Sequence, residues 1–488
     1  MRKVYSLLVV CLLGLLGQAK AQTQIESAQR ATTSSKLTLQ ECVDIALKNN
    51  IQVKQSLTQV EVNQNNLNQS RYNKYPSLNG NVSQGFSFGR GIDPFTNAAI
   101  TQQITFNNYN LSANVTLYAG GQIQNSIRQN DLVLRASQED VQAAKENTSL
   151  SIAGAYLNVL NNEDLITIAQ AQAEQTKRQI ERIEKLVKAG ALPETNLLDL
   201  QAQLANDELS IVNNQNAVDA AKLQLLQLMN VNPNQDIQLD RIAVNTQLQN
   251  YDATPQQIYD IALQGQATIR AANLRIESAE VGIELAKAAL KPTLSFGAGI
   301  STNYSSAAQR ALRGEPVDVT TTANVIFNGQ TVPIQFITQQ PTFSYQKIQY
   351  FDQLNSNQNK NVSFNLRIPI FNAFQAKTRV TNSFLNKKNT EYQAESSKQQ
   401  LRQNIETAYN NMLAASKRYA ATQKQVASLE LAFRASETRF NVGALNSVDY
   451  NLAKTNLDRA RANLVQSKYE YVFRTKILDF YQNKPLTL

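Results

Sequence analysis

The segment YNLSANVTLYAGGQIQNSIRQNDLVL, residues 109–134, changes its hydrophobic period at a pair of glycines. Up to Tyr118, apolar and polar residues alternate, which is the period of a strand with one covered face. Beyond the glycines, apolar residues recur at Ile127 and Leu134, and this seven-residue step continues to Ile183. Sustained heptads indicate helices that pack along their length. The segment therefore predicts a strand that leads directly into a very long helix.

The order of elements to which that segment belongs occurs twice in the chain. Ile45-Ala46-Leu47 recurs 216 positions later as Ile261-Ala262-Leu263, and Gly190-Ala191-Leu192 recurs 253 positions later as Gly443-Ala444-Leu445. The offset grows by 37, so the second copy carries an insertion. Internal repetition of this kind indicates repeated structural units. We predict one repeat over 22–230, a linker over 231–253, a second repeat over 254–484, and the insertion within 305–360.

Each repeat is predicted to contain a helix, two strands and two long helices. Thr38, with Glu41 three residues later, forms a capping-box pattern, and Thr254 followed by Pro255 is the corresponding helix start in the second copy. The fold class is thus mostly α with a small β-sheet. The predicted helices are 38–73, 121–189, 194–230, 254–290, 372–441 and 446–482, and the predicted strands are 77–89, 109–118, 293–304 and 361–370.

All four predicted strands have one apolar face, and they are about ten residues long, like transmembrane β-strands. Half-buried strands of a soluble sandwich are the alternative interpretation. Four strands cannot close, and an open edge in lipid would leave backbone groups unpaired. We therefore expect three or more copies to combine, preferably three, because twelve strands can enclose a wet lumen. The apolar residues are Leu78, Val82, Phe86 and Phe88; Leu111, Ala113, Val115 and Leu117; Leu294, Phe296, Ala298 and Ile300; and Val362, Phe364, Leu366 and Ile368.

Heptads run along the other long helices as well. At 1.5 Å per residue, a helix over 121–189 would be about 100 Å long. The heptad positions are mixed with Ala, Thr and Asn, which favours long antiparallel coiled coils around a hollow interior. The repeating positions are Leu197, Leu204, Ile211, Val218 and Leu225 in the first copy, and Tyr450, Leu457, Leu464, Tyr471 and Leu478 in the second.

The first 21 residues have the form of a signal peptide. Arg2 and Lys3 precede an apolar stretch of about 13 residues, and Ala19-Lys20-Ala21 is a small-x-small cleavage site. No other stretch approaches 18 continuous apolar residues, so no transmembrane helix is predicted. The mature chain keeps one cysteine, Cys42, which we expect to be a small buried side chain.

Composition excludes several function classes. The chain has no histidine, which removes histidine-dependent catalysis and histidine metal sites. The formal charge of +9 falls to +6 without Arg2, Lys3 and Lys20, and no basic patch with interleaved aromatic residues is present. We therefore predict no catalytic residue, no cofactor, no metal and no nucleic-acid partner, and a secreted enzyme is disfavoured.

At its strand-to-helix junctions and helical turns, the chain resembles the TolC family of outer-membrane efflux proteins over about 37–484. The resemblance implies a homotrimer that forms a twelve-stranded β-barrel in the outer-membrane lipid and an α-helical barrel in the periplasm. It implies two further partners, a periplasmic membrane-fusion adaptor and an inner-membrane pump of RND or ABC type, which open the duct for efflux or secretion. The residues that carry the resemblance are Leu117-Tyr118-Ala119-Gly120-Gly121, Ile368-Pro369-Ile370-Phe371-Asn372, Lys188-Ala189-Gly190-Ala191-Leu192 and Asn441-Val442-Gly443-Ala444-Leu445.

The resemblance also implies functional residues at the periplasmic tip. Aspartates beyond the tip glycines ring the closed entrance in the family; here Asp449 and Asn196 stand six residues after the glycines, and Leu452 and Asp199 stand nine after. Phe440 replaces a latch residue of some members, as does Leu445. The ordinary interpretation makes the glycines helix caps and the aspartates first-turn acids. The implied adaptor-docking residues are Ala189, Gly190, Ala191, Leu192, Val442, Gly443, Ala444 and Leu445.

Residues 305–360 join two predicted membrane strands and are rich in Asn, Gln and Thr, so they are predicted to be an extracellular loop. The alternative to a channel is a soluble secreted coiled-coil scaffold or adhesin, which accounts for the helices but not for four amphipathic strands. Within the channel class, the sequence is consistent with drug efflux, protein secretion or metal export, because the pump selects the cargo.

Overall fold

The computed structural model of the chain describes residues 36–92, 99–101, 103–241 and 251–484, so the predicted signal peptide lies outside the described residues. The fold is mostly helical with a small sheet, as predicted. The helices are α1 Leu39–Asn49, α2 Ile51–Tyr72, α3 Gln122–Lys188, α4 Thr195–Met229, α5 Pro255–Gly265, α6 Ala267–Ala288, α7 Tyr350–Ser356, α8 Gln375–Asn441 and α9 Ser447–Tyr481. The strands are β1 Ser77–Ser87, β2 Arg90–Ile92, β3 Ala99–Thr101, β4 Ile104–Tyr118, β5 Thr293–Ser305, β6 Gln309–Arg313, β7 Val317–Phe327, β8 Gln330–Gln340, β9 Phe343–Lys347 and β10 Asn359–Arg367.

The helices of the two halves match in length. Helices α1 and α5 have 11 residues each, and α2 and α6 have 22. Helices α3 and α8 have 67 residues each, about 100 Å at 1.5 Å per residue, and α4 and α9 have 35. This equality supports the division of the chain into two repeats. Among the described helices, none is apolar over enough of its length to cross a membrane.

The first helix of each half is divided in two, so the single helices predicted over 38–73 and 254–290 are wrong. The backbone is extended at Asn50 (φ −58°, ψ 127°) and at Gln266 (φ −73°, ψ 125°), which lie 216 residues apart, the offset between the repeated motifs. The Asn50 side chain accepts a hydrogen bond from the Val53 amide at 3.1 Å and so starts α2. The predicted caps Thr38 and Thr254 are present at the starts of α1 and α5.

Strands β1, β4, β5 and β10 form one antiparallel sheet in the order β1-β4-β5-β10. The register aligns the predicted apolar faces, because Leu78 pairs with Ala113, Ala113 with Ala298, and Ala298 with Val362. Directly opposite residues in a ladder share one face. One apolar row therefore crosses all four strands, and β1 and β10 are the open edges.

Several boundaries and one face differ from the predictions. Strand β1 ends at Ser87 rather than 89, and β4 begins at 104 rather than 109; β10 covers 359–367 rather than 361–370. Helix α8 begins at Gln375 rather than 372, because Ala373 and Phe374 have positive φ angles of 49° and 60°. A bulge between Thr116 and Tyr118 places Tyr118 opposite Leu294, in the position predicted for Leu117.

The insertion 305–360, which is predicted to be an extracellular loop, contains regular secondary structure. Strand β6 pairs with β9 and β7 pairs with β8, so two consecutive two-stranded sheets make up a ribbon over 309–347, which the short helix α7 follows. Asn328 (φ 52°) and Gly329 (φ 81°) turn the chain at the far end. Two consecutive positive φ angles are the signature of a type I′ hairpin turn, for which Asn-Gly is preferred.

Two apolar clusters hold the short helices against the long ones at matching places in the repeats. In the first, Cys42 of α1 packs with Ile152 of α3 and Leu225 of α4. In the second, the corresponding residues are Ile258, Ile405 and Leu478. Cys42 is fully buried, as predicted, and burial raises the pKa of its thiol to about 12.

Candidate functional site

The four-stranded sheet has two chemically different faces. The apolar face is exposed in the single chain, with Leu78, Val362 and Phe364 each 68–69% accessible. Phe296 and Phe364 are directly paired near its middle, with ring centroids 5.1 Å apart. The opposite face carries Asn, Ser and Thr side chains, and its charged member is Arg367 at the end of β10. This is the division between lipid and water that a membrane strand requires.

Exposed aromatic residues mark both ends of the apolar face. At the helical end they are Tyr72, Tyr75, Tyr118, Phe371 and Phe374, and at the ribbon end they are Phe86, Phe88 and Phe351. Aromatic side chains at both levels are typical of the two interfaces of a lipid bilayer, because their rings tolerate a partly polar surrounding.

The strand-to-helix junction depends on glycine. Gly120 has φ +61°, and a Cβ atom there would lie 2.5 Å from the Cβ of Lys291, at the corresponding end of α6. Gly121 follows with φ +92° and starts α3. Only a residue without a side chain combines left-handed geometry with this close approach. The two glycines therefore allow the chain to pass directly from the end of the sheet into a helix about 100 Å long.

At the far end of the long helices, the two predicted docking turns have the same geometry. Gly190 (φ 73°) and Gly443 (φ 76°) follow the last helical residues. The Ala191 amide donates to the Leu186 carbonyl at 2.9 Å, and the Ala444 amide donates to the Arg439 carbonyl at 2.8 Å. These bonds satisfy carbonyls that the helix end leaves unpaired, as in a Schellman cap. Both glycines are therefore helix caps, as the ordinary interpretation states.

The structure brings the two tips together. A cleft of about 620 Å³ is lined by residues of both turns, among them Leu186, Leu192, Val442 and Leu445. Of the eight predicted docking residues, Leu192 and Leu445 are half-buried against the tip cluster, and the other six are exposed. The tip cluster is an apolar core of Ile183, Leu200, Phe433, Phe440, Tyr450 and Leu457.

Phe440 belongs to that core rather than to the surface. Its ring stacks on Tyr450 with centroids 4.5 Å apart. Burial raises the pKa of the Tyr450 hydroxyl well above its ordinary value. Arg182 of α3 donates to the Asn441 carbonyl at 2.6 Å and ties the two helical hairpins together next to the turn.

The three predicted entrance residues have different surroundings. Asp449 is exposed, its amide donates to Asn446 Oδ1 at 2.8 Å, and its carboxylate accepts from Asn446 Nδ2 at 2.9 Å. Asp199 is half-buried and accepts from the Ser447 hydroxyl at 2.7 Å, so it links α4 to the start of α9. Asn196 is half-buried and lines the tip cleft. Of these three residues, Asp449 is therefore the one that carries an exposed charge.

Within the described part of the chain, Cys, Asp and Glu residues form no group of three that could hold a metal ion. The tip offers exposed backbone, small side chains and the exposed carboxylates of Glu194 and Asp449, which suit contact with another protein or with passing ions.

Comparison with known sequences assigns the family. Residues 42–231 and 258–474 both match the pattern of the outer membrane efflux protein family, one segment in each repeat. The chain belongs to the outer membrane efflux protein family. This family resides in the outer membrane, with its helical part in the periplasm, and its members are not enzymes. The assignment confirms the TolC-type resemblance and rules out a soluble scaffold or adhesin.

Individual relatives agree with the family assignment. The outer membrane protein TolC of Escherichia coli K12 is 26% identical over 345 residues, which are 68% of this chain and 60% of that protein. The chain thus spans less than two thirds of the length of the curated relatives that it matches. Among solved structures, CusC superposes with a TM-score of 0.72 at 17% identity, over 94% of this chain and 96% of that one. The outer membrane protein VceC from Vibrio cholerae gives 0.67 at 16% identity, over 91% and 94%.

One polar cluster of this efflux family member was not predicted from the sequence. Lys454 of α9 is 2% accessible, and its Nζ lies 3.1 Å from Asp207 Oδ2 of α4 and 3.0 Å from Asp458 Oδ2. Thr176 of α3 donates to Asp207 at 2.5 Å. Burial raises the pKa of Asp458, and Lys454 partly offsets that rise. The one available signal is that Asp207 falls seven residues after the buried Leu200, at a heptad position where an apolar residue is expected.

Proposed function

We propose that the protein is the outer-membrane channel of a tripartite export system. Three copies would form a duct through the outer membrane and across the periplasm for efflux of small molecules or secretion. The observation that carries this proposal is the small sheet with one apolar face, one polar face and two open edges, joined to helices about 100 Å long.

The open edges support assembly in the membrane. In lipid, each unpaired backbone group costs several kcal/mol, about the energy of a lost hydrogen bond. The backbone groups of the edge strands β1 and β10 are all paired if β1 of each copy joins β10 of the next. Three copies of four strands give a closed barrel of twelve, with the Asn, Ser and Thr face inward.

The surface of α4 supports contact between copies below the membrane. Leu198 and Leu209 are 56% and 58% accessible, and Val212 and Leu223 are 55% and 41% accessible. Both pairs are spaced by 11 residues, which is close to three helical turns and keeps them on one face. A row of exposed apolar side chains on a long helix indicates a surface that another chain covers.

The tip supports docking of a periplasmic adaptor, with an inner-membrane pump beyond it. Six small or apolar residues are exposed around two rigid caps, which present backbone groups at fixed positions. Asp449 is the charge that three copies would bring together at the periplasmic entrance, whereas Asp199 is engaged by Ser447. We therefore propose that Asp449 sets the electrostatic field at the periplasmic entrance. Asp199 and Asn196 would instead help to hold α4 against α9.

Native mass analysis of the protein extracted in mild detergent tests the assembly, and a stable monomer would refute it. Co-purification from the native membrane tests the partners, with tagged wild type compared with Gly443→Asp. The substitution should abolish co-purification of an adaptor and pump while leaving the trimer intact. Equal recovery of partners by both forms would exclude the Gly443 turn from docking.

A further inference from the structure

The β7–β8 part of the ribbon, residues 317–340, has one face that is mainly apolar. Across β7 and β8, Val325 pairs with Val332, Ala323 with Ile334, and Thr321 with Phe336. Paired residues share a face, so these side chains form a continuous strip, which Val319 and Val317 extend. We call this strip the ribbon face. Its side chains are accessible, with Ile334 at 48% and Phe336 at 43%. The reverse face is mostly polar, with Asp318, Thr320, Thr322, Asn324, Thr331, Gln335 and Gln339, and it also carries Pro333 and the exposed Ile326 and Ile337.

The ribbon face has no cover within the described part of the chain, where β7 and β8 pack chiefly on each other. A two-stranded hairpin on its own is marginally stable in water, and it needs a further layer on an apolar face. Eleven-residue strands that project about 36 Å therefore require a partner surface.

Charge favours a second copy as that partner. Residues 319–346 contain no Asp, Glu, Lys or Arg. This stretch thus offers no charge to a charged partner, and identical stretches of two copies meet without repulsion between charges. In a threefold assembly, the same apolar strip of each copy can face the common axis and meet the other two strips there.

The place where the ribbon leaves the sheet also favours a second copy as its partner. The ribbon is the continuation of β5 and β10, and β10 is an open edge of the sheet. In the trimer of the proposed function, on which this inference rests, three ribbons rise at the same height around one axis.

We infer that the ribbon faces of neighbouring copies pack on one another above the membrane and form a cap over the extracellular mouth. The interface between copies would then have three parts: the strand edges in the membrane, the α4 surfaces below it, and the ribbons above it. Removing the ribbons should leave the duct intact and widen its outer opening.

Cysteine cross-linking tests the inference in the full-length protein. Ala323→Cys and Ile334→Cys place a thiol on the ribbon face, and Thr322→Cys and Gln335→Cys are matched controls on the reverse face. The native Cys42 is buried and does not compete. With a short bismaleimide added to the purified trimer, the face variants should give a dimer band on a denaturing gel, because one thiol per copy can join only two copies, and the controls should stay monomeric.

Native mass analysis of the same samples separates the possible failures. A trimer without cross-links from either face variant would overturn the cap and leave the proposed channel standing, whereas a monomer would remove the basis of both. Equal cross-linking of face and control variants would also overturn it, because it would indicate random encounters. If the ribbon face lay on lipid instead, its thiols would react with maleimide in detergent but not in lipid nanodiscs. They would form no cross-link under either condition, and this result would also overturn the cap.

Discussion

At the level of single residues, the buried cation Lys454 is the residue whose substitution we expect to lower the free energy of unfolding most. Replacing it with Met leaves the buried Asp207 and the nearby Asp458 without their countercharge. Breaking one side of a buried ion pair typically costs about 3–5 kcal/mol. Lys454→Met should therefore lower the temperature at which helical circular dichroism is lost.

Lys188→Met is the matched control, because the Lys188–Glu184 pair is 73% and 46% accessible and such pairs contribute about 0–1 kcal/mol. Lys454→Met combined with Asp207→Asn and Asp458→Asn should recover much of the loss. If Lys454→Met melted like Lys188→Met, the cluster would contribute nothing to the helical packing.

The charge of Asp449 leads to a second prediction at this level. Asp449→Asn keeps the shape of the side chain and the bond from Asn446, so trimer yield should be unchanged. Three carboxylates around a narrow entrance attract cations. Single-channel recording should show reduced cation selectivity for Asp449→Asn and no change for Asp219→Asn, an exposed acid along α4. Unchanged selectivity in both would reduce Asp449 to a helix-terminus acid.

The sequence predicted these two residues unequally. Asp449 was predicted as an entrance residue because the TolC-family resemblance implies an acid beyond the tip glycine; its local pattern alone indicates a first-turn acid. Lys454 and Asp207 could not be paired, because they are 247 residues apart and lie in different repeats. No local pattern shows which helices of the two halves meet.

At the level of elements, the two faces of β5 lead to a further prediction. Phe296 lies on the apolar face between Val115 and Phe364, and the adjacent Ser295 lies on the polar face between Thr116 and Asn365. Phe296→Arg places a cation toward lipid, at a cost of about 2–4 kcal/mol near the bilayer midplane. Ser295→Arg places it toward water.

Semi-native gels of heated samples should show a lower dissociation temperature for Phe296→Arg trimers, and wild-type behaviour with altered conductance for Ser295→Arg. Similar dissociation temperatures for the two variants would contradict the assignment of one face to lipid and the other to water, and a lower temperature for Ser295→Arg would reverse it.

The alternation of the strands predicted this sheet well, because each face has a simple rule of polarity. It could not predict the bulge at 116–118, which exists only relative to β5. The breaks at Asn50 and Gln266 were missed for a related reason. Neither residue forbids a helix, and the extended backbone is stabilised by tertiary packing of α1 and α5 in the two apolar clusters.

At the level of the whole molecule, the two ends of the chain's long axis differ in composition, which follows from their surroundings. The ribbon end is uncharged over 319–346, whereas the tip end has Lys185, Lys188 and Arg439 exposed beside the turns. The insertion that distinguishes the repeats lies wholly at the ribbon end. Its position between two sheet strands was predictable, but its ribbon structure was not, because polar composition alone does not distinguish a hairpin from an irregular loop.

This asymmetry gives a test of topology with trypsin, which cleaves after Lys and Arg. Arg310, Arg313 and Lys347 are exposed at the root of the ribbon, outside the uncharged stretch. On intact cells trypsin should cut at these positions and leave Lys185, Lys188 and Arg439 uncut in the periplasm. The two fragments should still migrate as one trimer on a native gel, because β5 and β10 remain paired from Thr293 to Ser301 with Asn359 to Arg367. After the outer membrane is permeabilised, the tip sites should become available as well. Cleavage at the tip of intact cells, before any cut at 310–347, would invert the orientation of the chain in the membrane and refute the export duct.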